Sequence, residues 1–192
     1  FPVLKIQNLT KSFGSKNIIQ NFSYTFNDKG LYLIKGISGA GKTTFLRMIS
    51  GLDKDYSGII TSSGKFSYAF QEHRLIPTLS AIDNVLLSSF EIYTPSDYEA
   101  TVSLFRYFGF TDKDMKLLPT ELSGGMKQRV SLIRAFMFHS DILLLDEPTK
   151  ELDSELIKRL CNYIEEKKKN RLVILVSHDV TLNFSNAETI TI

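Results

Sequence analysis

Apolar positions along the chain fall into runs of two kinds. Ile142–Leu145 and Leu172–Val176 are continuous apolar runs of strand length, the pattern of strands buried on both faces of a parallel sheet. Leu31–Ile34 is a third run and ends abruptly in a glycine-rich turn. Ile59–Thr61 and Phe66–Phe70 predict two more short strands around a Ser-Gly turn, and Thr189–Ile192 alternates like an edge strand. Residues 3–6 and 22–26 predict short strands flanking a polar turn at Gly14–Asn17, with a further turn at Asn27–Gly30.

Helical spacing alternates with these runs. Phe45, Leu46 and Ile49 predict a helix after the glycine-rich turn, stopped by Gly51. Leu156, Leu160 and Ile164 repeat every four residues within a helix predicted over 154–168, and Cys161 sits beside that stripe. After Pro77 the character changes. Ser80 predicts a cap for a helix carrying Ile82, Val85 and Leu86, with Asp83 at its third position. Ser96 predicts the start of another, with Glu99 in the capping-box position, Val102, Phe105 and Phe108 near one face, and Gly109 as its end. The whole reads as an α/β chain with a helical insert over 78–120.

Composition narrows the partners. With 192 residues and a net charge of +2, the chain holds a sizeable core and lacks the basic excess of a dedicated nucleic-acid binder. Its one basic run, Lys167–Lys169, ends a helix and reads as a solvated face. A single cysteine excludes an internal disulfide and suits a reducing compartment. No apolar run approaches the length of a membrane span, and Phe1-Pro2-Val3 carries neither a basic leader nor a long apolar core, so no secretory signal is expected there.

The chemistry gathers at strand ends. Gly36-Ile37-Ser38-Gly39-Ala40-Gly41-Lys42-Thr43 fits G-x-x-x-x-G-K-[ST] between a strand and a helix, the context of a phosphate-binding loop. Glycines let backbone N–H groups approach phosphate, the helix start adds its positive end, Lys42 supplies a mobile charge, and Thr43 offers a hydroxyl to Mg²⁺. Asp146 and Glu147 end one buried strand, where ligands bind in open α/β sheets. Asp146 is placed to hold Mg²⁺, directly or through its water, and Glu147 to deprotonate a water attacking a γ-phosphate. His178 follows the next strand, and Gln71 follows the Phe66–Phe70 run. In Leu122-Ser123-Gly124-Gly125-Met126-Lys127-Gln128-Arg129, Ser123 is an N-cap and Gly124 and Gly125 leave N–H groups open, making a second anion-shaped helix start. One explanation is that it receives the nucleotide held by another copy.

Taken together, these residues resemble the nucleotide-binding domain of an ABC transporter, the ATP-binding-cassette family, over nearly the whole chain. The motifs stand in the family's order: an aromatic loop at Phe13, Walker A at Gly36–Thr43, the Q-loop at Gln71, the signature at Leu122–Met126, Walker B at Ile142–Glu147, the D-loop at Leu152-Asp153 and the H-loop at His178. The resemblance implies a P-loop NTPase (RecA-like) core with a mainly parallel sheet, an N-terminal antiparallel β subdomain, and an inserted α-helical subdomain over roughly 78–130 within one domain, 1–192.

It also implies roles. Phe13 would stack on adenine. Gly36, Ser38, Gly39, Ala40, Gly41, Lys42, Thr43 and Thr44 would hold the phosphates of ATP or ADP, with Thr43, Gln71 and Asp146 on Mg²⁺. Glu147 would be the base, supported by His178, Lys42 and Gln71. Ser123, Gly124 and Gly125 would meet the γ-phosphate held by a second cassette in a head-to-tail homodimer or heterodimer, with Asp153 linking the two sites. Met126 stands where the family usually has Gln, and Thr149-Lys150-Glu151 where smaller residues are common. The implied protein is a cytoplasmic ATPase, peripheral on the cytoplasmic face of the membrane, energising integral transporter subunits and binding no nucleic acid. The alternative within the family is a non-transport cytosolic ATPase acting in assembly or regulation. Chromosome and DNA-repair members would need a long coiled coil between Gln71 and Leu122, where only a short insert stands. A small-molecule kinase would not need Ser-Gly-Gly.

Overall fold

The computed structural model describes residues 3–37, 39–89, 93–178, 182 and 184–192. A five-stranded sheet lies at its centre, in the order β5 (Phe66–Ala69), β6 (Ile142–Asp146), β7 (Leu172–Val176), β3 (Gly30–Lys35), β8 (Ala187–Thr191). Every pairing in it is parallel. The central strands are buried at every position, as continuous apolar runs require, and the alternating run at the C-terminus is indeed an edge.

The two-residue strand period sorts the core into two halves. Leu143, Leu145, Val173 and Leu175 face α4 (Gly124–Met137), α5 (Ser154–Lys167) and the helical insert, where they meet Val130, Ile133, Leu160 and Ile164. Ile142, Leu144, Leu172 and Ile174 face the other way, onto Phe45, Leu46 and Ile49 of α1 (Lys42–Ile49) and onto the antiparallel sheet.

That second sheet pairs β1 (Leu4–Phe13) with β2 (Lys16–Phe26) on one side and β4 (Ser57–Ser62) on the other. Its first two strands run 10 and 11 residues, much longer than the apolar pattern predicts. The reason is a break in register between Ile6 and Leu9. Asn8 sits there at φ 52°, with its N–H on Ser23 Oγ at 2.8 Å. A bulge shifts the alternation by one residue, so the polar half of each strand no longer reads as a strand.

The insert holds α2 (Ala81–Ser89) and α3 (Pro95–Tyr107), followed by a short 3₁₀ turn at Asp114–Lys116. Ser80 caps α2 as expected, accepting from the Asp83 N–H at 3.2 Å. For α3 the predicted cap is wrong. Thr94, not Ser96, is the N-cap, and Asp97, not Glu99, closes the capping box. Thr94 Oγ1 accepts from the Asp97 N–H at 3.2 Å, and Asp97 Oδ2 accepts from the Thr94 N–H at 2.8 Å. Both pairs have the right spacing; Pro95 decides, because its fixed φ and missing N–H suit the first helical position. Gly109, at φ 80°, ends this segment as predicted.

The two cap assignments separate on mutation. Thr94→Ala is expected to cost about 1 kcal/mol and Ser96→Ala less than about 0.5 kcal/mol, measured by urea unfolding. Equal losses would return the cap to Ser96.

Candidate active site

After β3 the chain turns at Gly36 and enters α1 through Gly39, Ala40 and Gly41; Ser38 lies outside the described residues. Gly41 is the N-cap of α1 at φ 95°, and a Cβ there would stand 2.0 Å from Ile18 Cγ2 on β2. The antiparallel sheet thus presses the loop so closely that only glycine fits. No side chain caps α1 and no acidic residue lies in its first turn, so its first N–H groups face outward with the helix dipole behind them. Lys42 is 5% exposed, and its ammonium donates to the carbonyls of Gly36 (2.8 Å) and Ile37 (2.9 Å). Thr44 is half-buried one residue beyond Thr43.

Three neighbouring strands end beside this loop. Asp146 closes β6 with 1% exposure, and both of its carboxylate oxygens are engaged. Oδ1 accepts from Thr43 Oγ1 at 3.1 Å, and Oδ2 accepts from Tyr68 Oη at 3.2 Å. Burial raises the Asp146 carboxyl above its ordinary pKa, and the two hydroxyl donors oppose that rise. The same burial, with the carboxylate beside it, raises the Tyr68 phenol, so it stays protonated as the donor.

Glu147 follows in the left-handed region at φ 49°, its N–H bonded to Val176 O at 2.8 Å. That conformation costs about 1 kcal/mol for a residue with a Cβ and turns the side chain towards His178. Glu147 Oε2 accepts from the His178 N–H at 3.1 Å, and Oε1 lies 3.4 Å from His178 Nε2. An open cleft of about 650 Å³ is lined by Gly39, Gly41, Lys42, Thr43, Gln71, Glu147 and His178. Asp146 stands directly behind Thr43.

The remaining expected residues do not line that cleft. Phe13 stands at the tip of the β1–β2 hairpin, 54% exposed, with Lys11 Nζ 4.9 Å from its ring centre. Ser123 caps α4, accepting from the Met126 N–H at 3.2 Å. Gly124 and Gly125 press against Glu151: added Cβ atoms would lie 1.8 Å from its Oε2 and 2.5 Å from its backbone O. Met126 packs against the apolar core, so its departure from the family pattern is absorbed as packing. Asp153 caps α5, accepting from the Leu156 N–H at 2.9 Å.

Four residues escaped the sequence reading. Besides Tyr68, Arg134 reaches from α4 to the carbonyls of Arg74 (2.8 Å) and His73 (2.9 Å), pinning the segment after Gln71. Buried Asn84 holds Ile76 through both its N–H and its carbonyl. Gln128 joins α4 to the Pro148 carbonyl at 3.2 Å. Only Tyr68 left a signal: a hydroxyl in a strand that ends at the site.

Residues 19–150 match the family described as "ABC transporter". The chain belongs to the ABC transporter family. Within it, the chain is 36% identical to the aliphatic sulfonates import ATP-binding protein SsuB of Corynebacterium glutamicum, over 94% of this chain and 75% of that protein. It is 30% identical to the arginine transport ATP-binding protein ArtM of Bacillus subtilis (93% and 82% covered) and 31% identical to the lipoprotein-releasing system ATP-binding protein LolD of Bacteroides thetaiotaomicron (92% and 90%). A solved post-hydrolysis dimer of the ATP-binding cassette MJ0796 bound to ADP and Pi superposes with TM-score 0.82 at 25% identity, covering 93% of this chain and 89% of that one. As an ABC cassette the chain is an ATP-binding, ATP-hydrolysing subunit that energises transport. No helix among the described residues is long and apolar enough to cross a membrane.

Asp146 gives a pH test. Its carboxyl is held above the ordinary value of 3.8, so the native state keeps a proton that the unfolded chain has released. Stability therefore falls as pH rises through the window between that value and the native midpoint. Tyr68→Phe removes a donor to the charged form and is expected to move the Asp146 midpoint higher, widening the window. Carboxyl ¹³C titration reads this, and an unmoved midpoint would remove Tyr68 from the site.

Proposed function

We propose that this cassette hydrolyses Mg-ATP between two copies arranged head to tail, on the cytoplasmic face of a membrane, and that its helical segment over 78–130 docks integral transporter subunits. The observation that carries the catalytic reading is the pairing of Glu147 with His178 in the same cleft as Lys42 and Thr43. The donor set suits the ligands. The Thr43 hydroxyl and the Asp146 carboxylate adjoin each other, and the Gln71 amide lines the same cleft; hard oxygen donors of this kind fit Mg²⁺. When bound, the ion supplies charge neutralisation on the phosphate oxygens.

The chain's own residues do the rest. Lys42 exchanges the carbonyls of Gly36 and Ile37 for phosphate oxygens. The N–H groups of the loop and of the first turn of α1 hold the β-phosphate. Phe13, exposed at the hairpin tip, stacks on adenine. Glu147 takes the proton of a water as its oxygen attacks the γ-phosphorus, and the bond to the ADP oxygen breaks with its electron pair leaving on ADP. His178 keeps the Glu147 carboxylate aimed. Ser123, Gly124 and Gly125 of the opposite copy close the site, and Asp153 stands near that junction. Exposed Ile76, five residues after Gln71, and exposed Leu87 on α2 are apolar surface positions that support docking.

Glu147→Gln is expected to bind ATP, to lose about two or more orders of magnitude in turnover, and to accumulate ATP-bound dimers. Phosphate release and light scattering after size exclusion read the two effects. Unchanged hydrolysis would remove Glu147 from its role. Ser123→Arg is expected to leave ATP binding to the single copy intact and to abolish the dimer; a persisting dimer would overturn the head-to-tail arrangement.

A further inference from the structure

The cleft just described lies at the C-terminal ends of β5, β6 and β7. A separate cavity of about 570 Å³ opens at their N-terminal ends, lined by Lys65, Asp141 and Arg171, which immediately precede the three strands, and by Ser140, Lys167 and Asn170. Arg171 is only 8% exposed. Its Nη1 donates to Ser140 Oγ at 3.2 Å and its Nη2 to Phe136 O at 3.4 Å, while its Nε finds no acceptor. Both acceptors are neutral, so no carboxylate offsets this buried guanidinium among the described residues.

Lys167 adds a second cation without an ion pair among the described residues. The next two lysines of the run are paired, Lys168 with Glu165 at 2.8 Å and Lys169 with Glu166 at 2.6 Å. Lys167 instead lies over the Tyr163 ring, 4.9 Å from its centre. Two acids, Asp97 and Asp141, also line the cavity, so three cations (Lys65, Lys167 and Arg171) face two carboxylates there, and each carboxylate holds a neutral backbone donor. Asp97 holds the Thr94 N–H at 2.8 Å, and Asp141 Oδ2 accepts from the Lys65 N–H at 2.8 Å. His139 also lines the cavity. The expected solvated face of Lys167–Lys169 is thus two surface pairs and one cation turned to a cavity.

A buried cation without a counter-charge is costly, and an entering anion relieves that cost. The excess of cations, with Arg171 buried and Lys167 half-buried, favours an anion over a neutral ligand, and a phosphate group carries close to two charges near neutral pH. Guanidinium and ammonium groups are its usual partners. The cavity exceeds a lone phosphate and has the size of a small-molecule site. We infer that it is a second anion site, independent of the nucleotide cleft, for a small ligand carrying a phosphate group. Arg171 Nε is itself covered, so Lys167 and Lys65 make the direct contacts and the guanidinium acts through its charge.

The test uses the full chain labelled with ¹⁵N-arginine, with ADP filling the nucleotide site. Inorganic phosphate is titrated in one arm and glucose 6-phosphate in another, against chloride at equal ionic strength. The Arg171 Nε–H resonance, assigned by its loss in Arg171→Lys, is expected to move saturably. Lys167→Gln is expected to weaken the response roughly tenfold; should Arg171→Lys fail to fold, through-bond correlation to the Arg171 backbone amide assigns the resonance instead. Tighter binding of the monoester makes a phosphorylated metabolite the ligand, and tighter binding of the free ion makes it inorganic phosphate; either supports the site. A resonance that does not saturate, or that responds equally in Lys167→Gln, overturns it.

Discussion

The site depends on one buried carboxylate gripped from two sides. Asp146 ends a strand with no exposed residue, and its oxygens take hydroxyl bonds from Thr43 on α1 and Tyr68 on β5. Those contacts tie the helix behind the phosphate loop, the central strand and the edge strand into one unit. A carboxylate in so little water is stable only with donors at close range. The Thr43 hydroxyl is therefore held against Asp146, and Tyr68 ties that pair to the edge strand that leads into Gln71. The parallel sheet supplies the alignment, since every strand end that carries chemistry points to one edge.

Much of this was legible in the chain. The continuous apolar runs placed β6 and β7, and the glycine-rich turn placed α1 with Lys42 at its start, because strict burial and backbone geometry leave few alternatives. Glu147 and His178 were legible as strand-end residues, but their mutual contact was not; it arises from a left-handed backbone at Glu147 that no local pattern signals. The long hairpin was half-read because a bulge at Asn8 shifts the alternation. The α3 cap was misplaced by two residues because two capping boxes overlap and Pro95 arbitrates. Arg134, Asn84 and Gln128 were invisible for a different reason. Arg134 and Gln128 bond backbone carbonyls far away in sequence and Asn84 bonds a loop eight residues before it, and a side chain's identity does not reveal which carbonyl it will meet.

The run Thr149-Lys150-Glu151 looked like a simple departure from the family's smaller residues. In the fold it is a contact. Glu151 sits at φ 63° with its carboxylate over Gly124 and its carbonyl over Gly125, while Gln128 reaches the neighbouring Pro148 carbonyl. The segment after β6 and the start of α4 are therefore in direct touch within a single copy, before any second copy is considered.

That contact fixes a length. Only four peptide bonds separate Glu147, beside the cleft, from Glu151, wedged on the glycines of α4, and both residues are in the left-handed conformation. The segment has no slack to absorb a displacement, so a shift at one end must reappear at the other. It works as a rigid spacer, tolerant of changes in its outward side chains and intolerant of a single inserted or deleted residue.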